Sequence, residues 1–566
     1  MHTTRIPGKD AAPEQTVARV GQSLRGLRIG VRTTGWQRPV PGVWSLHLRA
    51  RECGRLFSNG KGTGRRACLA SALGEFVERL ATGYFFTDYY LASAAGDFLL
   101  HPDERSVDPA RWREQCLDPE LLAWYDPEGE LGPEALHERN SDGDRITALP
   151  FTRHRDGATR YFPANILASL YASNGMAAGN TAAEARVQAL SEVMERAARA
   201  TLLAEAAPMP PLPEAVVARY PAVTRALAAL RRRGLRPRAV DASAGGRFPV
   251  AGVIVRHPRD GGVIASFGAH PDFGVALERA TTELLQGRGT QLAGFEAPTF
   301  DDAELAEPHN LELHFTDGSG RLGWSNLAGE PDPDFHPWEW SGDNEAAFQT
   351  MCAELERQGL DVWVADYPEL GLPVCRLLVP GLSEVYPRED LLFENHNEGR
   401  AFRDAIAAGP ELAAGEAGEL LERLETGGYS ELQPVTGFIG IAADRGSGWA
   451  GLTLGEFKLR LAAAAGDLDA LEESLEAARE TPRDARRDRA YRALADLLEW
   501  HRHGAPARLR PALEWAHGGP ALTWAESALA GRPWEMGSLG VEGPDAGDHR
   551  AVLEVYRRVQ AARRRD

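Results

Sequence analysis

The stretch Ser173–Arg196, SNGMAAGNTAAEARVQALSEVMER, opens as a run of small residues and continues as an amphipathic, Ala-rich helix. Small residues leading up to Asn180, at a helix start, leave backbone N–H groups free to face an anion. No Gly-Lys-Ser/Thr follows, so the loop is not of the Walker type. Along the helix Glu184, Gln188 and Glu192 are four residues apart and Glu195 lies one turn on, so a stripe of carboxylates and an amide runs for three turns. The last seven residues, Leu190–Arg196 (LSEVMER), repeat the pattern Leu-x-Glu-x-x-Glu-Arg of Leu73–Arg79 (LGEFVER). Ala72 and Ala189 precede the two copies, and Ser71, Gly74 and Ser191 are small neighbours of the acids. Glu75 and Glu78 share a helix face, as do Glu192 and Glu195. Two such helices facing each other would put four or more carboxylates in one cleft. Like charges that close raise one another's pKa unless cations neutralise them, which calls for a divalent metal. Carboxylates, water and phosphate oxygens are the ligands magnesium prefers, so the pattern points to a nucleotide site.

A plainer reading stands beside this one. Glu75→Arg79 and Glu192→Arg196 are i,i+4 pairs in the favourable order, common on solvated helices. Thr181-x-x-Glu184 also reads as a capping box, giving Glu184 a local task. Spacing by itself leaves both readings open.

Composition narrows the class. A chain of 566 residues calls for two or three domains. No run approaches the ~20 apolar residues needed to span a bilayer, and the amino terminus has no apolar signal core. These features predict a cytoplasmic protein with no membrane partner. Five scattered cysteines without a CxxC pair argue for reduced thiols. A net charge of −18 speaks against direct nucleic-acid binding. The tail Arg563-Arg564-Arg565 reads as a frayed, solvated end. Of 63 basic residues only Lys9, Lys61 and Lys458 are lysine. Lys9 (PGKD) and Lys61 (NGKG) lie beside glycines, a context that suits close approach to a phosphate.

Outward from the acidic stretches, hydrophobic periodicity predicts a helix near Pro13–Leu24, a strand at Val43–Leu48 and a first acidic helix from about Arg66 to Ala81. The Pro- and acid-rich segment Asp103–Asp144 reads as irregular surface. Val250–Val255 and Val263–Phe267 form a hairpin, and a third helix carries Glu278, Arg279 and Glu283. There Arg279 and Glu283 have the spacing of a salt bridge. Strands follow at Val362–Ala365 and Val374–Val379. Strands and helices mix without steady βαβ alternation, which gives an α+β class. Beyond about residue 410 the chain is helical: Leu412–Leu424, Leu452–Ala464, Leu468–Ala478, Arg489–His501 and Ala551–Arg564. Leu452–Ala478 resembles one tetratricopeptide-like hairpin, which cannot bury its own apolar face. A homodimer is the default expectation.

The stretches IPGKDAA, NGKGTGRRACLASALGEFVERLATGYFF, SNGMAAGNTAAEARVQALSEVMER and ASFGAHPDFGVALERATTELLQGRG resemble the YcaO family, in the family's order. The resemblance implies an N-terminal segment (1–54) contributing to an ATP site, a YcaO-type ATP-binding domain (55–405) of mixed or antiparallel sheets packed with helices, and an all-α, tetratricopeptide-like domain (406–566). It implies ATP and Mg2+ as cofactors. Carried over by position, Glu75, Glu78, Glu192, Glu195 and Glu283 look like metal carboxylates. Lys9, Asn180, Glu184 and Arg279 look like nucleotide contacts, with Gln188 and Arg196 beside them. Thr16 and Ala177 stand where serine hydroxyls are expected; Thr16 keeps a hydroxyl, and Ala177 leaves only its backbone. The nucleophile is not identified.

Some branches of the family use ATP to activate a peptide amide, forming an azoline or thioamide. Azoline-forming members commonly end in a proline-rich tail, whereas this chain ends QAARRRD. Similar members are associated instead with β-methylthiolation of small ribosomal subunit protein twelve by the radical-SAM methylthiotransferase RimO. Lacking a three-cysteine radical-SAM motif, this chain would be an accessory factor. The alternatives are a cyclodehydratase or thioamide-forming enzyme, and a nucleotide-sensing scaffold.

Overall fold

The computed structural model describes residues 6–288, 292–340, 342–480, 485–504, 506–541 and 545–564. Among the described residues twelve strands form three antiparallel sheets. β1 (Val31–Val40), β2 (Val43–Ala50) and β3 (Phe57–Gly62) make a meander. A six-stranded sheet runs β4-β5-β11-β12-β7, with β6 paired on β5; its members are β4 (Arg105–Val107), β5 (Ile146–Arg153), β6 (Thr159–Pro163), β7 (Met176–Ala178), β11 (Trp363–Tyr367) and β12 (Val374–Leu378). The third sheet has the order β10-β9-β8 and comprises β8 (Arg236–Asp241), β9 (Val250–Arg256) and β10 (Val263–Ala269). The expected hairpin is the β9–β10 pair, joined in register from Val250↔Ala269 to Arg256↔Val263.

Helices bind these sheets together. α1 (Pro13–Gly26) and α2 (Arg65–Ala81) pack on each other, and α2 lies on β3. α3 (Ala182–Ala204) lies between β12 and β10, against α7 (Asn344–Arg357). α4 (Pro221–Arg232) and α5 (Phe273–Glu283) cover the third sheet, and α6 (Pro308–Thr316) touches α3. α3 is long because Ala, Leu, Met and Glu favour helix throughout it. Its apolar face, with Val187, Leu190, Val193 and Met194 fully buried, joins Phe267, Phe348 and Met351 in one core. The opposite edge of α3 carries the acidic stripe.

After residue 410, α8 (Ala414–Thr426), α9 (Leu454–Ala465), α10 (Leu468–Glu480), α11 (Ala485–Arg502), α12 (Arg510–His517) and α13 (Gly519–Leu529) surround a separate core containing Phe438, Trp449, Phe457 and Leu494. The expected hairpin is α9–α10. Thr453 and Glu456 cap α9 reciprocally, and left-handed Gly466 (φ 74°) ends it. Among the described residues no helix is long and apolar enough to cross a membrane.

Two expectations are overturned. The Asp103–Asp144 segment is not irregular surface: β4 pairs with β5, and Trp112, Leu121, Tyr125 and Leu136 are buried in the first core. Its prolines start short helices, capped by Asp108 and Asp118, rather than keep the chain open. Nor is the chain frayed as far as Arg564, the last described residue. The final helix α14 (Gly547–Arg563) leaves the C-terminal bundle and enters the first core through Val552, Leu553, Val555, Tyr556 and Val559. Arg563 is buried, donates to the Leu100 carbonyl at 2.7 Å and faces Glu369 at 4.0 Å, while Arg564 pairs with Asp97. The Leu100 carbonyl, the Glu369 carboxylate and the rings of Phe98 and Tyr367 surround this guanidinium, which an Arg run read alone does not reveal. Arg565 lies outside the described residues.

Candidate functional site

α2, α3 and α5 converge with β3 and the N-terminal segment on a cleft of about 930 Å³. The glycines of Asn59-Gly-Lys-Gly make this convergence possible. A Cβ at Gly60 would lie 2.3 Å from the Cys68 carbonyl oxygen, and one at Gly62 would lie 2.9 Å from the Cys68 nitrogen. β3 therefore rests directly on the first turns of α2, and Lys61 between the glycines lines the cleft. At the start of α3, a Cβ at Gly179 would lie 2.4 Å from the Ala185 nitrogen. Thr181 caps α3, accepting from the Glu184 N–H at 3.1 Å. Glu184 does not complete the box; its carboxylate reaches across the chain instead. It accepts from Asn180 Nδ2 (3.0 Å) and from the Asp10 N–H (2.9 Å), and pairs with Lys9 Nζ at 3.2 Å. Thr16 Oγ1 donates to Asn180 Oδ1 at 2.8 Å. The N-terminal segment is thus tied to the head of α3.

All five expected metal carboxylates, Glu75, Glu78, Glu192, Glu195 and Glu283, line this cleft. So do Lys9, Thr16, Asn180, Glu184, Gln188, Arg196 and Arg279. Ala177 is the exception. It sits in β7 opposite Cys375, with its side chain in the core, and it is Ala178 that lines the cleft. The period-two alternation of a strand sends one of the two inward. The i,i+4 pairs of the plainer reading are also formed, Arg79–Glu75 at 3.0 Å and Arg196–Glu192 at 2.9 Å. They coexist with the cleft rather than replace it. Arg279 and Glu283 do not pair with each other: Arg279 Nη1 donates to Gln188 Oε1 at 2.5 Å, and Glu283 is met by Lys61. Sequence spacing missed Arg199, Arg288 and His314, which also line the cleft.

The electrostatics are those of crowded acids. Burial raises the Glu78 carboxyl well above its ordinary range; the charges of Glu192 and Glu75 add to this, while Arg79 and Arg196 oppose it. Glu75 is raised in the same way, with Arg79 and Lys61 opposing. Burial brings the Lys61 ammonium down to about 8, with Arg279 assisting and Glu195, Glu75 and Glu192 resisting. His270, buried beside Arg279 and Lys9, is lowered to about 3 and stays neutral.

The chemistry of the donors fits a magnesium nucleotide. Among the described residues no group of three or more His, Cys, Asp or Glu side chains is arranged to hold an ion unaided. Magnesium commonly takes one or two carboxylates and completes its shell with water and substrate phosphates, and does not need a closed protein cage. Cationic Lys9, Arg196 and Arg279 share the cleft with the acids, and Ser266, a buried residue of β10, presents an Oγ without a hydrogen-bond partner.

Comparison with known proteins gives the family. The family model described as YcaO cyclodehydratase, ATP- and Mg2+-binding, matches residues 59–383, and that of the YcaO cyclodehydratase C-terminal domain matches residues 399–565. The chain belongs to the YcaO family. It is 41% identical over 584 residues, covering 100% of this chain and 99% of the relative, to the Escherichia coli (strain K12) protein named ribosomal protein S12 methylthiotransferase accessory factor YcaO. A Haemophilus influenzae protein is 40% identical, covering 99% of each chain. The solved structure of YcaO from Methanopyrus kandleri bound with AMPPCP and Mg2+ aligns with a TM-score of 0.44 and 21% identity, covering 66% of this chain and 92% of that one. As a YcaO protein the chain is ATP- and Mg2+-binding.

Proposed function

We propose that this YcaO protein is an ATP- and Mg2+-dependent accessory factor in β-methylthiolation of ribosomal protein S12 by a RimO-type methylthiotransferase. The observation that carries the biological role is its end-to-end similarity to the Escherichia coli protein of that name. For the site, support comes from the convergence of three acidic helices and the N-terminal segment on one cleft. In this reading Glu75, Glu78, Glu192, Glu195 and Glu283 hold magnesium. Lys9, Thr16, Asn180, Glu184, Gln188, Arg196 and Arg279 hold the nucleotide. Bound ATP supplies an activated phosphoryl group whose charge magnesium spreads. The chain's own residues prepare the place for it. Glu184 fixes the N-terminal segment through Lys9 and the Asp10 N–H, and Gln188 aims Arg279 across from α5. Lys61 stands against Glu283 where a cation is needed. Arg79 and Arg196 hold Glu75 and Glu192 in ion pairs along the wall of the cleft.

Reconstitution with the methylthiotransferase and S12, read by mass spectrometry, tests the role. ATP-dependent stimulation of methylthiolated S12 is the expected result. No stimulation, or a dehydrated or sulfur-bearing peptide formed without the methylthiotransferase, would favour the cyclodehydratase chemistry in the family description. The same reading has the protein working as a homodimer, the commonest closed assembly. Light scattering at twice 61.5 kDa supports it, and the mass of a single chain removes it.

A further inference from the structure

Asn59 begins the Asn59-Gly-Lys-Gly stretch that brings β3 against α2. The strand alternates: Gly60 and Gly62 face the first turns of α2, so Asn59 and Lys61 face the other way. Both line the cleft, and Lys61 meets Glu283 there. Across the ladder Asn59 is paired directly with His47 of β2. Arg49 stands two residues along β2, on the same face as His47.

These side chains form a run of hydrogen bonds that ends at the cleft. Arg49 Nη2 lies 2.9 Å from His47 Nε2, and His47 Nδ1 lies 2.9 Å from Asn59 Oδ1. A guanidinium has N–H donors and no acceptor, so Nε2 is the accepting nitrogen. The bond made by one ring nitrogen sets the state of the other, so Nδ1 carries the proton and donates it to Asn59 Oδ1. The Phe57 ring lies against the imidazole, with centroids 5.1 Å apart. The Asn59 amide is thereby turned one way, with Oδ1 taken by His47 and Nδ2 directed away from it. Among the described residues nothing accepts from Nδ2, and Nδ2 is not shut off from solvent.

Fixed N–H donors call for a ligand rich in acceptors. In a cleft walled by carboxylates, the triphosphate of a nucleotide is that ligand, and hydrogen bonds to its charged oxygens are the strong kind. An amide turned the other way would set Oδ1 against phosphate, acceptor against acceptor. We propose that Asn59 is a nucleotide-binding residue whose Nδ2 donates to a phosphate oxygen, and that His47 and Arg49 are positioning residues that fix which end of its amide faces the cleft. The inference rests on reading the cleft as a magnesium–nucleotide site.

Calorimetry of a non-hydrolysable ATP analogue with Mg2+ on the full chain tests it, with thermal melts to confirm folding. Asn59→Asp keeps the shape and the acceptor for His47 but offers the cleft no N–H. Asn59→Asp and Asn59→Ala should each bind the analogue about tenfold more weakly. His47→Leu frees the amide to turn and should lose affinity severalfold, whereas His47→Asn, which can still donate to Asn59 Oδ1, should keep most of it. If His47 only supports the sheet, its loss adds to that of Asn59. If it acts through Asn59, His47→Leu costs nothing further once residue 59 is alanine. Folded Asn59 variants that bind the analogue as the parent does overturn the inference, and so does a His47→Leu loss that persists in the Asn59→Ala background. A parent that does not bind the analogue removes the nucleotide reading and the inference with it, so the parent alone tells the two failures apart.

Discussion

Tyr556 on α14 is the sharpest test of how the two regions of the chain are joined. Its side chain is 1% exposed, its ring meets Phe86 edge-on at 5.2 Å, and its hydroxyl donates to the Leu99 carbonyl at 2.7 Å. Val552, Val555 and Val559 flank it in the same core, which also contains Phe76 and Leu80 of α2, the helix that carries Glu75 and Glu78. Replacing a buried aromatic by alanine costs about 3–5 kcal/mol, a large share of the 5–15 kcal/mol that stabilises a domain. Removing only the hydroxyl is a smaller change. Gln560 Nε2 still donates to the Leu99 carbonyl at 2.9 Å, so Tyr556→Phe should cost about 1 kcal/mol or less. Urea unfolding, followed by loss of Mg·ATP-analogue binding, reads the region containing the cleft. Tyr556→Ala should lower that midpoint strongly and Tyr556→Phe slightly. If Tyr556→Ala unfolds the cleft at the parent's urea concentration, α14 does not belong to the first core and the two regions are independent.

Other perturbations address the cleft. Glu78→Gln should raise the melting temperature without ligand while weakening magnesium binding, because it removes a buried charge from among like charges; differential scanning with and without Mg·ATP reads both. With its carboxyl raised in the fold, the native state binds more protons than the unfolded chain above the ordinary Glu range. Stability without metal should therefore fall as pH rises through that window, and Glu78→Gln should flatten the slope. Lys61 is lowered to about 8 from 10.5, so the unfolded chain binds the extra proton between those values and stability should rise with pH there. Lys61→Met should lose that rise, and an unchanged slope in alkaline melts would place Lys61 in solvent.

The acidic stripes were legible because helical periodicity alone sets which side chains share a face. Glu75, Glu78, Glu192 and Glu195 could be grouped in pairs without knowing any neighbour. What spacing could not give was the partner from another element. Arg279 bonds Gln188 on α3 instead of Glu283 one turn away, and Glu283 meets Lys61 from β3. Arg199 and Arg288 went unread for the same reason, since one arginine among many carries no signal until the cleft it lines is seen. Asp103–Asp144 misled because prolines that begin short helices look, in sequence, like prolines that keep a loop open. Arg563 misled because a terminal Arg run is usually solvated, and the Leu100 carbonyl and Glu369 that receive it come from distant parts of the chain.

The most direct measurement is isothermal calorimetry of Mg·ATP binding to the parent and to Glu75→Ala and Glu195→Ala, one carboxylate from each of the two acidic helices. If both helices line one magnesium–nucleotide site, each variant should bind more than about tenfold more weakly, a loss of ~1.4 kcal/mol or more, and the parent's affinity should collapse when magnesium is withheld. Folded variants that bind Mg·ATP as the parent does would contradict the assignment of these carboxylates and return them to surface ion pairs.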